Sequence, residues 1–136
     1  MKIKKALACI LITISSIIAC KKYPDGPGLS LASRTSRVVN TWKMENVILN
    51  GSDITSFYIN SNYIETYDKN GNYSYSSTFG GGSGKWAFEN KDSQIKRNGV
   101  SGQESQDMTI LRLKEKSFWY MFIDGKDNYE FHLIPN

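Results

Sequence analysis

The chain has few of the residues that carry covalent staples or reactive chemistry. Its 136 residues include two cysteines, Cys9 and Cys20, both within the first twenty positions. Beyond residue 20, disulfides, thiolate metal ligands and cysteine nucleophiles are therefore excluded. The one histidine, His132, has no partners at metal-ligand spacing. Prolines stand only at 24, 27 and 135, so none interrupts the stretch between. Long apolar runs are missing too. The longest, Ala6 to Ile18, rises about 20 Å as a helix, too short for a ~30 Å hydrocarbon core. What is present is aromatic: 12% of the chain, within an apolar total of 40%, too rich for a disordered protein. The length suits one domain.

The amino terminus reads as an address. Lys2, Lys4 and Lys5 precede the short apolar run, the pattern of a secretory signal. The run ends Ile17-Ile18-Ala19-Cys20, which resembles the bacterial lipobox. That resemblance implies diacylglycerol on the Cys20 sulfur, cleavage before Cys20, and N-acylation. Each buried CH₂ contributes about 0.8 kcal/mol and stable anchoring needs about two chains, so three acyl chains make a lasting membrane tether. The expected organisation is a signal peptide over 1–19, a lipidated tether over 20–29 and one domain over 30–136. Lys21 to Gly28 carries two prolines and two glycines, which neither a helix nor a central strand holds.

Processing changes the charge. Three of the 17 basic residues leave with the signal, and fourteen remain against 13 acidic ones. The sequence pI of about 9.0 is largely a property of the signal. No basic stripe survives, so nucleic acid is excluded as a partner.

Apolar residues recur at helical spacing from Leu31 to Val39, predicting a short helix over 30–39 with Ser30 placed to cap it. From Asn40 the period becomes two, as in half-buried strands. Eight strands are expected: 40–49, 62–68, 71–79, 84–89, 93–98, 106–114, 117–123 and 127–134. Most connections are three to five residues rich in Asn, Asp, Gly and Lys, so sequence neighbours pair antiparallel. Closing such a ribbon into an up-and-down barrel removes both edges. A β-sandwich, the alternative, wants longer crossovers.

The search for chemistry is mostly negative. Gly81-Gly82-Ser83-Gly84-Lys85 fits neither a nucleophile elbow nor a phosphate-binding loop and reads as a hairpin loop. Asp68-Lys69-Asn70-Gly71-Asn72 lacks the glycine position and the terminal Glu of a calcium loop and reads as a turn. No catalytic constellation, cofactor motif or metal set emerges, so no enzyme is expected. Glu65 stands out because it shares a strand face with Tyr63 and Tyr67. If that face is the lumen, Glu65 with Tyr63, Tyr67, Tyr73 and Tyr75 forms the polar end of a ligand cavity; in the opposite phase Glu65 meets water. Sixteen of the seventeen aromatic residues lie beyond Asn40, enough to fill an eight-strand lumen if they point inward. In Phe118 to Ile123 both faces are apolar. Trp119, Met121 and Ile123 are therefore either covered by the 30–39 helix or form a patch for a protein partner or the membrane surface.

Ala19-Cys20-Lys21-Lys22, Ser30-Leu31-Ala32-Ser33, Thr41-Trp42-Lys43, the Tyr67 to Gly71 hairpin, Gly84 to Phe88 and Ile110 to Leu113 together give a pattern. It resembles the small lipocalin-like lipoproteins of Bacteroidetes-type bacteria. The resemblance implies an all-β, eight-stranded antiparallel lipocalin-like barrel with a short N-terminal helix, and a first-strand tryptophan, here Trp42, plugging one end. Asn40 stands where lipocalins carry glycine, Asn being the usual substitute at positive φ. The expected role is an envelope protein of the outer membrane, tethered through Cys20. The first reading is a module for a small apolar or amphipathic ligand. The second is a filled barrel that docks on another envelope protein. Lys21-Lys22 after the cysteine, in place of an acidic run, favours a periplasm-facing tether.

Overall fold

The computed structural model describes residues 23–24, 31–99 and 105–136. The expected signal peptide, Cys20 and most of the expected tether lie outside the described residues. The elements are α1 (Arg34–Val38), β1 (Asn40–Leu49), β2 (Ser52–Asp53), α2 (Thr55–Asn60), β3 (Ile64–Tyr67), β4 (Asn72–Ser77), β5 (Gly80–Glu89), β6 (Gln94–Asn98), β7 (Ser105–Lys114), β8 (Ser117–Asp124) and β9 (Asp127–Pro135).

β1 and β3 to β9 form a closed, eight-stranded antiparallel barrel. Each strand pairs with its sequence neighbour, and β1 closes the ring on β9 from Trp42↔Pro135 to Leu49↔Tyr129. Closure leaves no long edge to pair with another chain. The two-residue β2 folds back on the end of β1.

Antiparallel alternation sorts the connections onto two ends. α1, the β3–β4, β5–β6 and β7–β8 turns and the C-terminus share one end. α2 and the β4–β5 and β8–β9 hairpins share the other. The α1 end is shut by Trp42, which is fully buried, donates from Nε1 to the Val38 carbonyl at 2.8 Å and packs on Phe118 at 5.8 Å. The opposite end is covered by α2, where Thr55 Oγ1 accepts from the Val47 amide at 2.9 Å and Tyr58 lies edge-on to Tyr63 and Phe131.

Three expectations need correction. Gly81 to Lys85 is not a loop: β5 begins at Gly80 and pairs with β4 along its whole glycine-rich half. A Cβ on Gly81 would sit 2.5 Å from the Tyr75 carbonyl oxygen, so glycine here permits close strand approach, not a turn. The longer connection over 50–61 holds β2 and α2. The helix spans five residues, and its cap is Ser33, whose hydroxyl accepts from the Ser36 amide. Asn40 is an ordinary strand residue and is not among those with positive φ.

One turn is unusual. Asn90, Lys91 and Asp92 all take left-handed φ values, between 49° and 64°. Non-glycine residues adopt these singly more readily than in series. Tyr23 and Arg34 hold this turn: the Tyr23 hydroxyl donates to the Asp92 carbonyl at 2.9 Å, and Arg34 pairs with the Asp92 carboxylate.

The Gly81→Ala variant is expected to lose about 1–3 kcal/mol of stability from overpacking. Ser83→Ala, at an exposed position of the same strand, should stay within about 0.5 kcal/mol. Denaturant unfolding of both variants checks the contrast.

Candidate functional site

The centre of the barrel is polar. Glu65 on β3 has 0% exposure, and its carboxyl group faces the lumen. Oε1 accepts from Tyr120 at 2.8 Å, Arg97 Nη1 at 3.0 Å, Tyr63 at 3.1 Å and Tyr73 at 3.2 Å. Oε2 accepts from Tyr67 at 3.0 Å. The donors come from the residue before β3 and from β3, β4, β6 and β8, so one carboxyl group ties opposite walls together.

Strand geometry explains the convergence. Side chains two apart share a face, so Tyr63 and Tyr67 flank Glu65. Tyr73 is the register partner of Tyr67, with ring centroids 4.9 Å apart. Arg97 follows buried Ile95 by two, and Tyr120 follows buried Phe118 by two.

Arg97 is only 5% exposed. Besides Glu65, its Nη1 donates to Tyr73 at 2.6 Å and Tyr67 at 3.3 Å, and its Nη2 donates to Gln106 Oε1. Its guanidinium lies over the Tyr73 ring at 4.5 Å and the Tyr120 ring at 5.5 Å, adding cation–π attraction. Burial works against its charge, but the surrounding Tyr67, Glu65, Tyr120 and Tyr73 oxygens hold its pKa well above the ordinary value. Tyr73 is both acceptor from Arg97 and donor to Glu65, which links the pair through a second route.

Burial, and then the Glu65 charge, push the phenols of Tyr63, Tyr67, Tyr73 and Tyr120 well above the ordinary 10.0. Tyr58, on the lid helix, is raised to about 12, chiefly by burial. The four lumen phenols donate to Glu65, and none of the five ionises at neutral pH.

The structure brings four of the expected residues together as a donor–acceptor set: Glu65, Tyr63, Tyr67 and Tyr73. Tyr75 is half-buried and stacks on Tyr63 at 5.7 Å. The arrangement, however, is occupied by its own members: the lumen centre holds Glu65, Arg97 and four phenols. Sequence reasoning missed Arg97 and Gln106, and treated Tyr120 only as core.

The second expected patch is divided. Trp119 is sandwiched on the outer face between Arg112, 3.5 Å from its ring centroid, and His132, stacked at 3.8 Å and 6°. His132 Nε2 contacts Glu130 Oε1 at 2.6 Å. The cover on Trp119 is thus supplied by neighbouring strands. The helix expected there lies at the barrel end, where Arg37 donates to the Leu113 carbonyl at 2.7 Å. Met121 is half-buried, whereas Ile123 is 69% exposed at the opposite end.

A concavity opens in the wall between β7 and β8. β7–β8 pairing stops at Thr109↔Met121, although β7 begins at Ser105 and β8 runs to Asp124. The fork encloses about 640 Å³, with Gln106, Asp107, Phe122 and Ile123 among its walls. Gln106 also bonds Arg97, so the fork reaches the edge of the polar network.

The class defined by this geometry is a closed up-and-down barrel with a charged pair at its centre. No protein-family model matches the chain, and no curated protein matches it in sequence.

Arg97→Met is expected to cost about 3–5 kcal/mol, because it strands a buried carboxyl group. Adding Glu65→Leu to it should recover part of that loss, giving a double-mutant coupling in denaturant unfolding. A second expectation concerns alkali. The four raised phenols keep their protons in the fold but lose them near 10.0 when unfolded. Their contribution is therefore complete below 10.0 and is lost as pH rises above it. Phenolate absorbance and circular dichroism against pH should show these four ionising only as the barrel unfolds.

Proposed function

We propose that this is a lipid-anchored protein of the bacterial envelope whose filled, lipocalin-like barrel serves as a rigid mount for contacts with another envelope protein. The single observation that carries this reading is the Glu65 carboxyl group, whose five donors all come from within the barrel; the neighbouring Arg97 Nε is buried without a partner among the described residues. A ligand entering the centre has to break a buried ion pair without offering better partners. Apolar groups are instead displayed outside. Phe57 and Phe79 stack on each other at 6.0 Å while remaining 60% and 78% exposed, and Ile59 of α2 is exposed too. Such a rim suits a partner surface better than a solvent face. The tether through Cys20, the outer-membrane location and the lipocalin kinship rest on the sequence patterns described above.

The small-ligand reading has one observation in its favour, the fork between β7 and β8. Its volume lies within the usual range for small-molecule sites. An occupant there would be amphipathic, with Phe122 and Ile123 on one side and Gln106 and Asp107 on the other.

Two measurements test the proposal. Labelled palmitate should enter the protein in cells and be lost in Cys20→Ala. Native mass spectrometry of the barrel should give the bare polypeptide mass. A co-purifying small molecule, released on unfolding, would transfer support to the ligand reading.

A further inference from the structure

We propose that the α1 end of the barrel is a membrane-contact face that seats on anionic lipid headgroups and holds the barrel upright, α2 end outward. The orientation extends the lipid-anchor reading above, but its physical basis is separate.

Three observations coincide at this end. First, the chain arrives there: Tyr23 is buried and bonded to the β5–β6 turn. Cys20 is three residues earlier, and three extended residues span at most about 11 Å. Acyl chains on Cys20 would thus enter the bilayer close to this face. Second, Leu31, three residues before α1, is fully exposed, an apolar side chain at the start of the described domain.

Third, charge is distributed unevenly along the barrel axis. The turns of the α1 end carry exposed Lys69, Lys114 and Lys116, and the sequence adds Lys21 and Lys22 with Asp25. Of the described carboxylates there, Asp92 is paired with Arg34 and Glu89 lies 3.8 Å from Lys96, leaving Asp68 and Glu115 opposite the lysines. The other end has the reverse sign: Asp53, Asp124 and Asp127, with Lys126 among them, while Asp107 shares Lys96 with Glu89 at 3.6 Å. Basic residues close to an anionic leaflet are attracted within about a Debye length, and carboxylates are repelled. The barrel therefore carries a dipole whose positive end coincides with its tether.

The test uses the unacylated chain from Lys21 onward, since the closed sheet and its core lie within residues 23–135. It should co-sediment with phosphatidylcholine vesicles containing phosphatidylglycerol at low salt, and release as salt rises. Vesicles of phosphatidylcholine alone should bind it far less. Lys69→Glu with Lys116→Glu should weaken partition by about twentyfold or more, while Lys126→Glu at the other end changes it little. Circular dichroism checks that the variants fold. On bound protein, a fluorophore at Leu31→Cys should be quenched by lipid-phase quenchers and one at Phe79→Cys should not. Equal binding to both vesicles, no binding at low salt, an equal effect of Lys126→Glu, or quenching at Phe79→Cys instead would overturn the proposal. Loss of palmitate labelling with vesicle binding intact strikes the anchor reading alone; labelling without vesicle binding strikes this face alone.

Discussion

A carboxyl group with no access to water must find its donors inside the protein, and Glu65 finds five. The requirement is directional as well as energetic. Hydrogen bonds demand distances near 3 Å, whereas apolar packing tolerates exchange of one side chain for another. The residues around Glu65 therefore specify where several walls of the barrel stand relative to one another. A purely apolar lumen of the same volume could be as stable or more so, because buried pairs repay their desolvation only when geometry is good. What the pair adds is a defined arrangement: a strand shifted by one residue would turn its phenol or guanidinium outward and leave Glu65 short of a donor.

That constraint acts through a sheet whose closure is equally demanding. β1 meets both β3 and β9, and it changes register once on the β9 side, between Met44 and Asn46. β7 and β8 show a second irregularity between Ile110 and Arg112. Such bulges bend a strand and sharpen its twist, which helps a small sheet to close. Close approach of β5 to β4 depends on glycine, since Gly81 has no room for a side chain against Tyr75. The polar centre and the tight wall are thus two halves of one geometry.

Much of this was legible in the sequence. Alternation from Trp42 to Leu133 carries the strands, and short polar connections carry their antiparallel order. The same period placed Tyr63, Glu65 and Tyr67 on one face. It also placed Arg97 on the face of Ile95, and a buried carboxyl group calls for a cation, so Arg97 was within reach of the same logic. The neighbours of Ile95 are all polar, which hid the strand's inward phase. The glycine run misled because Gly80 to Gly84 has no side-chain period to read; strand character there comes from pairing with β4, a tertiary property. α2 was invisible for a related reason. Its six residues include Phe57, Tyr58 and Ile59, of which only Tyr58 turns toward the core, and the helix is pinned by Thr55 against β1 more than by its own propensity.

The outer surface follows a different rule from the lumen. On the wall, Trp119 is shielded by a cation and an imidazole from adjacent strands, so a large apolar ring is made compatible with water without a covering helix. At the α2 end no such shielding protects Phe57, Phe79 or Ile123. Both solutions occur in one small barrel, so the exposed rim is not a failure of the fold to cover aromatic groups. The fold has the means to mask them and applies it to Trp119, three strands' width of polar stacking, while the rim is left apolar at the end farthest from Tyr23. A contact surface placed there is presented away from the point where the chain leaves the barrel, and the rigid centre fixes its geometry.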